Sequence, residues 1–239
     1  MLINEIFLSI QAESINTALI PSKFGTGVPT IFVRTHGCSC YCAYCDSAYT
    51  WSQSGEKGIK MTVAEIIKKV QKVGGPYKTT CITGGEVEIQ PIAEVQQLIK
   101  GLKELGYTIS VEATGTAGRD FFFGADSIVM DVKGPSAGKK AMERTKDNVL
   151  HVKTLNRYDQ LKFLVQDRID FDWMIEWLDK NMSNLDNTIR PQILVSPVFD
   201  KEGKNNAAQV VEWILKVGLD CTLNLQIHKT IWPVNKRGV

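Results

Sequence analysis

The stretch TVAEIIKKVQKVGGPYKTTCITGGEVEIQPIAEVQQLIKGLKELGYTISVEATG, residues 62–115, decides the architecture. Thr62 and Glu65 form a capping-box pair. It opens a helix with Val63, Ile66, Ile67 and Val70 on one face, at the spacing i, i+3, i+4, i+7. Lys78 to Thr83 then reads as a strand. Pro91 starts a second helix, with Ile92, Val95, Leu98, Ile99, Leu102 and Leu105 along one side and Gly106 as its stop. Tyr107 to Ala113 reads as the next strand. Strand, helix, strand in this order implies parallel pairing through a right-handed crossover.

The same pattern extends outward. Thr30 to Arg34, Ser127 to Lys133, Gln160 to Val165, Gln192 to Ser196 and Cys221 to His228 read as further strands. Ala207, Val210, Val211, Ile214 and Leu215 make a late helix ending near Gly218. Two connections, 114–126 and 134–159, look short of a full crossover helix. The expected fold is α/β, a partial, open TIM-like barrel of about six parallel strands with helices outside. In such folds ligands sit at the carboxyl ends of the strands. Four strand ends carry polar or Gly-rich turns: Thr35-His36-Gly37, Thr83-Gly84-Gly85-Glu86, Glu112-Ala113-Thr114-Gly115 and Asp131-Val132-Lys133-Gly134. All four turns, and the cysteine-rich loop after Gly37, then share one rim.

No linker interrupts the 239 residues, so a single domain is expected. A chain of this length buries roughly 70–75% of its unfolded surface and needs no staples. Lys plus Arg is 28 against 26 for Asp plus Glu, which excludes a phosphate-binding surface spread over the whole protein. No apolar run approaches the ~18 residues of a membrane span, and the first residues lack a basic leader. The expected compartment is cytoplasmic, with no membrane and no direct nucleic-acid partner.

Four of the six cysteines, Cys38, Cys40, Cys42 and Cys45, crowd into one short loop. A disulfide scaffold spreads its cysteines to close loops, so this cluster reads as metal ligation. Cys38, Cys42 and Cys45 are spaced C-x3-C-x2-C. Three thiolates from one loop can hold three irons of a cubane and leave the fourth iron open for a cofactor or substrate. Two other readings stay open on spacing alone: tetrahedral zinc with Cys40 as fourth ligand, and unligated thiols. Crowding counts against zinc, because successive Cβ atoms point apart in extended chain and structural zinc ligands usually come as separated pairs.

Gly37 to Asp46, GCSCYCAYCD, resembles the signature of the radical S-adenosylmethionine (SAM) superfamily. In that family the aromatic residue before the last cysteine, here Tyr44, lies by the SAM adenine. Gly84-Gly85-Glu86 resembles its GGE motif, which holds the methionyl amino group. Within the superfamily nearly the whole chain is similar to the 7-carboxy-7-deazaguanine synthase family. The similarity runs through Ile6 to Ser14, Phe32 to Cys38, Cys45-Asp46-Ser47, Val111 to Thr116, Asp131 to Ser136, and Leu225 to Lys229 with Trp232 and Arg237-Gly238-Val239. Ala12 and Ser14 stand where the family has glycines. Val87 replaces a proline, Ser196 a glutamine and Ser47 a threonine; Cys40 is an extra thiol.

This resemblance implies a lyase that converts 6-carboxy-5,6,7,8-tetrahydropterin to 7-carboxy-7-deazaguanine with loss of ammonia, on the route to queuosine and related 7-deazapurines. It implies a [4Fe-4S] cluster on Cys38, Cys42 and Cys45, SAM, and Mg²⁺ on Ser47. The hydrogen-abstracting group is the SAM-derived radical, so no side chain is expected as catalytic in its own right. SAM contacts fall on Tyr44, Gly84, Gly85, Glu86, Asp131, Val132, Lys133 and Ser196. Glu112 suits the ribose hydroxyls, as acidic residues at strand ends often do. On the substrate side a guanidinium forks onto a carboxylate, which suits Arg34, and Gln11 can donate to and accept from the pterin edge. Ile10, Ala12, Glu13, Thr83, His228 and the Val239 carboxylate complete the expected substrate contacts. A residue 1–28 extension and a 226–239 segment are expected to close the site. Flavodoxin or ferredoxin as electron donor and a homodimer are implied as well.

A glycyl-radical activase shares the signature and the GGE loop but needs neither Arg34 nor the Gln11 segment, and a zinc-bound interaction module needs no catalysis. His36 and His151 lack metal spacing. Cys81 and Cys221 read as core packing, as do Trp173 and Trp177 at helical spacing.

Overall fold

The computed structural model describes residues 1–13, 25–52, 57–183, 190–200, 202–233 and 236–239. Their strands are β1 (Leu2–Ile10), β2 (Pro29–Thr35), β3 (Ile59–Lys60), β4 (Thr79–Gly84), β5 (Thr108–Ala113), β6 (Ser127–Val132), β7 (Gln160–Val165), β8 (Gln192–Pro197) and β9 (Thr222–Leu223). The helices are α1 (Val63–Gly74), α2 (Ile92–Glu104), α3 (Lys139–Arg144), α4 (Asn148–Val152), α5 (Arg168–Met182), α6 (Ala207–Val217) and α7 (His228–Ile231). Ser14 and the rest of 14–24, within the expected N-terminal extension, lie outside the described residues, as do 234–235 of the C-terminal segment.

One nine-stranded sheet runs in the order β3-β1-β2-β4-β5-β6-β7-β8-β9 and does not close. From β2 to β9 every neighbouring pair is parallel. Six of these strands are full length, as the alternating pattern predicts. The seventh, β9, has only two residues: the apolar run after Cys221 leaves the sheet and ends in the short α7. The opening strand β1 pairs antiparallel with β2, with a register shift between Ile3 and Glu5.

Helix caps follow the sequence. The Thr62 side chain accepts the Glu65 N–H while the Glu65 carboxylate accepts the Thr62 N–H, so α1 begins at a reciprocal box. Val63, Ile66 and Val70 of α1 and Val95, Leu98, Ile99 and Leu102 of α2 are buried against the sheet. Ile92 and Leu105, at the two ends of the α2 pattern, stay largely exposed. Gly218 takes the left-handed conformation (φ +64) that ends α6. The two short connections carry single turns and the brief α3 and α4 in place of a long crossover helix.

The strands alternate two chemistries. Ile31, Val33, Ile82, Ile109, Val111, Ile128, Met130, Leu161 and Phe163 point to the helices and form the main core. Each such side chain contributes roughly 1.5–3 kcal/mol through burial. Their neighbours point into the hollow of the half-barrel. Trp173 and Trp177 pack onto the core, the latter edge-on to Phe163. Cys221 does the same, whereas fully buried Cys81 lies on the hollow side, 3.5 Å from a Glu112 oxygen. No helix among the described residues is long and apolar enough to cross a membrane.

Candidate active site

Residues on the hollow side of the sheet and on its rim line a cavity of about 410 Å³. That volume is in the range of small-molecule sites. β2 contributes Phe32 and Arg34, β4 Thr83, β5 Glu112, β6 Asp131, and β7 Lys162 and Leu164. The cysteine loop forms the wall at the strand ends.

Backbone contact fixes that loop. Gly84 has φ +132, and a Cβ on Gly85 would lie 2.0 Å from the Gly37 carbonyl oxygen. The Glu86 N–H donates to that same oxygen at 2.8 Å. The glycine pair is therefore needed where two main chains touch. The Glu86 side chain completes the clamp: its carboxylate accepts from the Ser39 N–H (2.8 Å), the Ser39 hydroxyl (2.6 Å) and the Thr116 hydroxyl (2.8 Å), and pairs with Arg144 at 3.1 Å.

Cys38, Cys42 and Cys45 all face the cavity. The Cys38 sulfur accepts the Cys40 N–H at 3.4 Å. The Cys45 sulfur accepts the Trp51 indole N–H at 3.5 Å and lies 3.7 Å from the Ser47 hydroxyl. A hydrogen bond donated by the Cys40 thiol is the main force holding the Cys38 thiol down, to about 6; burial opposes it, and the Cys40 and Tyr41 N–H groups add to it. Burial pushes the Cys42 thiol up to about 11, with Lys133 opposing. Sulfurs that accept N–H bonds beside an open cavity fit a cluster held at three corners. Tyr44 fits a cofactor beside it: it lines the cavity, and its buried hydroxyl has no partner among the described residues.

Cys40 is buried against Ala137 and Ala141. Its sulfur lies within 4.8 Å of both the Cys38 sulfur and a Glu86 oxygen, the single metal-ligand grouping of that kind among the described residues. Cys38, Cys42 and Cys45 do not gather that tightly.

On the expected SAM side, Tyr44, Gly84, Gly85, Glu112, Asp131 and Lys133 line the cavity, as does Ser47. Lys133 Nζ donates to Asp131 Oδ2 at 2.7 Å. Three expected contacts lie off the wall. Glu86 sits under the loop as described, the Val132 side chain is in the helix-side core, and the Ser196 hydroxyl donates to the Asn224 carbonyl at 2.9 Å.

On the expected substrate side, Ile10, Gln11, Ala12, Glu13, Arg34, Thr83, His228 and Val239 all line the cavity. Arg34 Nε donates to Glu5 at 2.8 Å, and the same Glu5 oxygen accepts the Tyr49 hydroxyl at 2.8 Å. Glu112 accepts the Thr83 hydroxyl at 2.7 Å. Gln11 holds its own loop by accepting the Ala12 N–H at 3.1 Å. Burial pushes the His228 imidazole down.

Several contacts here were not announced by any motif, even where the residue stands in a quoted stretch. Asp46 stands beside the last cysteine and binds Lys229 at 2.9 Å and Gln226 at 3.0 Å, tying the C-terminal segment to the cysteine loop. Burial works to raise its carboxyl, but Lys229, and then Arg34, hold it below the usual carboxylate range. Arg237 lies 3.7 Å over the Tyr49 ring. Glu88 fixes the β5 exit by accepting the Thr114 and Gly115 N–H groups at 2.7 and 3.0 Å. For Lys162 the one available signal was a lysine interrupting an apolar strand at the alternation that faces the hollow.

Residues 32–174 match the family described as the Radical SAM superfamily. Across its full length the chain is 31% identical to a protein from Koribacter versatilis named 7-carboxy-7-deazaguanine synthase, covering all of that protein. It is also 31% identical to one of the same name from Methanospirillum hungatei, covering 97% of this chain and 85% of the relative. Among solved structures, the crystal structure of QueE from Escherichia coli superposes with a TM-score of 0.64 over 94% of this chain and 93% of that one, at 21% identity, and carries the same fold.

Proposed function

We propose, from the premise that this chain belongs to the radical SAM superfamily and within it to the 7-carboxy-7-deazaguanine synthases, that it converts 6-carboxy-5,6,7,8-tetrahydropterin to 7-carboxy-7-deazaguanine with release of ammonia. The observation that carries this reading is one cavity lined by the three cysteines together with Arg34, Gln11 and Glu13. Full-length likeness to proteins of the synthase name favours it over an activase or a zinc module.

When bound, a [4Fe-4S] cluster and SAM supply one-electron cleavage of a carbon–sulfur bond and hydrogen abstraction from carbon. Cys38, Cys42 and Cys45 hold the cluster. Glu86 and Arg144 act on the loop from behind, keeping the three sulfurs in place. Tyr44, Gly84, Gly85, Glu112, Asp131 and Lys133 are placed to hold SAM. Arg34 forks onto the substrate carboxylate, moving from Glu5 or sharing with it. Gln11 and Glu13 meet the pterin edge with acceptors and a donor. The Ser47 hydroxyl is the protein oxygen for Mg²⁺, a hard cation that keeps most of its waters. The opening residues and the 226–239 segment, held by Asp46–Lys229 and Arg237–Tyr49, keep water out. A flavodoxin or ferredoxin delivers the electron, and the chain works as a homodimer.

Anaerobically reconstituted protein, given reductant, SAM and the carboxypterin, should form the deazaguanine with loss of one ammonia, read by mass spectrometry. SAM cleavage with no deazaguanine under varied reductants would overturn the substrate assignment.

A further inference from the structure

Lys162 is a buried lysine in the interior of strand β7. On β7 its neighbours Leu161 and Phe163 face the helices, so strand alternation turns Lys162 into the cavity. Its Nζ lies 3.1 Å from Glu13 Oε1 and 3.3 Å from Asp131 Oδ1. Asp131 in turn holds Lys133. Alternating charges thus run from the opening loop, through β7, to the exit of β6. A lysine is rarely buried without a partner, and this one has two.

We propose that Lys162 is a positioning residue for the substrate: its ammonium, set between Glu13 and Asp131, keeps the Glu13 carboxylate an anionic acceptor for the N–H edge of the pterin. This rests on the reading of the substrate given above and adds to it a residue that no motif marks. The groups facing Glu13 are Lys162 from β7, Asp131 from β6, Glu112 from β5 and Cys81 from β4. Of these, Lys162 is the one cation. Burial, and then Glu112, push the Glu13 carboxyl up to about 7, with Lys162 working against them. Without Lys162, three carboxylates share one dry wall and Glu13 is driven to its neutral form. A neutral carboxyl turns one oxygen into a donor and loses the charge-assisted attraction to an N–H edge.

The test follows Glu13 by 13C NMR in ligand-free protein labelled at glutamate, with Glu13→Gln to assign the signal. Iron content after reconstitution reports integrity. In Lys162→Met the Glu13 midpoint should rise by about one pH unit or more, and pterin affinity at neutral pH should fall about fivefold or more, as the anionic fraction drops from about one half to about one tenth. Lys162→Arg should restore both. Wild-type affinity should strengthen as pH rises through the Glu13 midpoint, because the anion is the binding form. In a Glu13→Gln background, Lys162→Met should cost little more. An unmoved midpoint, or a loss that adds in full to that of Glu13→Gln, overturns the proposal. If Lys162→Met does not fold, Lys162→Gln takes its place. A wild-type protein that forms no deazaguanine fails the substrate reading alone, since the ligand-free midpoint still decides the role of Lys162.

Discussion

The two faces of β4 to β7 belong to the same strands and do opposite work. On the helix side, Ile82, Val111, Ile128 and Leu161 are fully out of water and belong to one apolar core. One residue along each strand, or three on β6, Thr83, Glu112, Asp131 and Lys162 face a cavity and bind one another through hydrogen bonds and ion pairs. A period of two lets a single strand serve as scaffold and as site. The outer face gains free energy by losing water. The inner face buries polar groups beside a cavity, and on the adjoining cysteine loop the buried Tyr44 hydroxyl has no partner among the described residues. Substitutions on the two faces should therefore separate stability from function.

The largest expected effect lies on the rim that joins the faces. Cys38→Ala should reduce iron from roughly four per chain to near none after reconstitution, with the circular dichroism of the fold retained. Retention of full iron would remove Cys38 from the ligand set. Next comes the outer face: Leu98→Ala should cost about 2–5 kcal/mol in denaturant unfolding, because the site under α2 is closed and cannot collapse fully. A loss of substrate affinity without a loss of stability there would break the comparison. On the inner face, Arg34→Ala should weaken carboxypterin binding by about 10–100-fold, or roughly 1.4–2.8 kcal/mol, with iron intact. Loss of iron instead would assign Arg34 to the scaffold with Glu5. The smallest effect is expected far from the cavity, where Thr62→Ala removes the α1 cap and should cost about 1 kcal/mol in unfolding with turnover unchanged.

The outer face was readable because apolar period and caps are local signals. Thr62 with Glu65, and the 95/98/99/102 face of α2, stand in the structure where the pattern puts them. The rim was readable for a different reason: C-x3-C-x2-C and Gly-Gly-Glu are short motifs whose chemistry depends on neighbours in sequence. On the inner face the resemblance named Arg34, Thr83, Glu112 and Asp131, but no motif marked Lys162 or the pairings among these groups. Lys162 meets Glu13 across 149 residues, and Arg144 meets Glu86 across 58, so no window of sequence holds either pair. Glu5, the partner of Arg34, sits on an antiparallel strand whose register shifts beside it. Cys221 to His228 misled because an apolar run of strand composition can end one sheet pair and then turn into a short helix; local propensity is overridden once the next strand is absent. Glu86 shows the remaining gap: a motif names the residue, but its side chain's partners, Ser39, Thr116 and Arg144, come from three separate segments.

The most direct measurement on the three-thiol centre is iron and sulfide per chain, with the electron paramagnetic resonance spectrum of the reduced protein before and after SAM, in wild type and in Cys40→Ala. The structure, with Cys40 packed against Ala137 and Ala141, predicts roughly four irons in both and a spectrum that SAM changes in both. Stoichiometric zinc in place of iron, or a centre lost with Cys40, would contradict it.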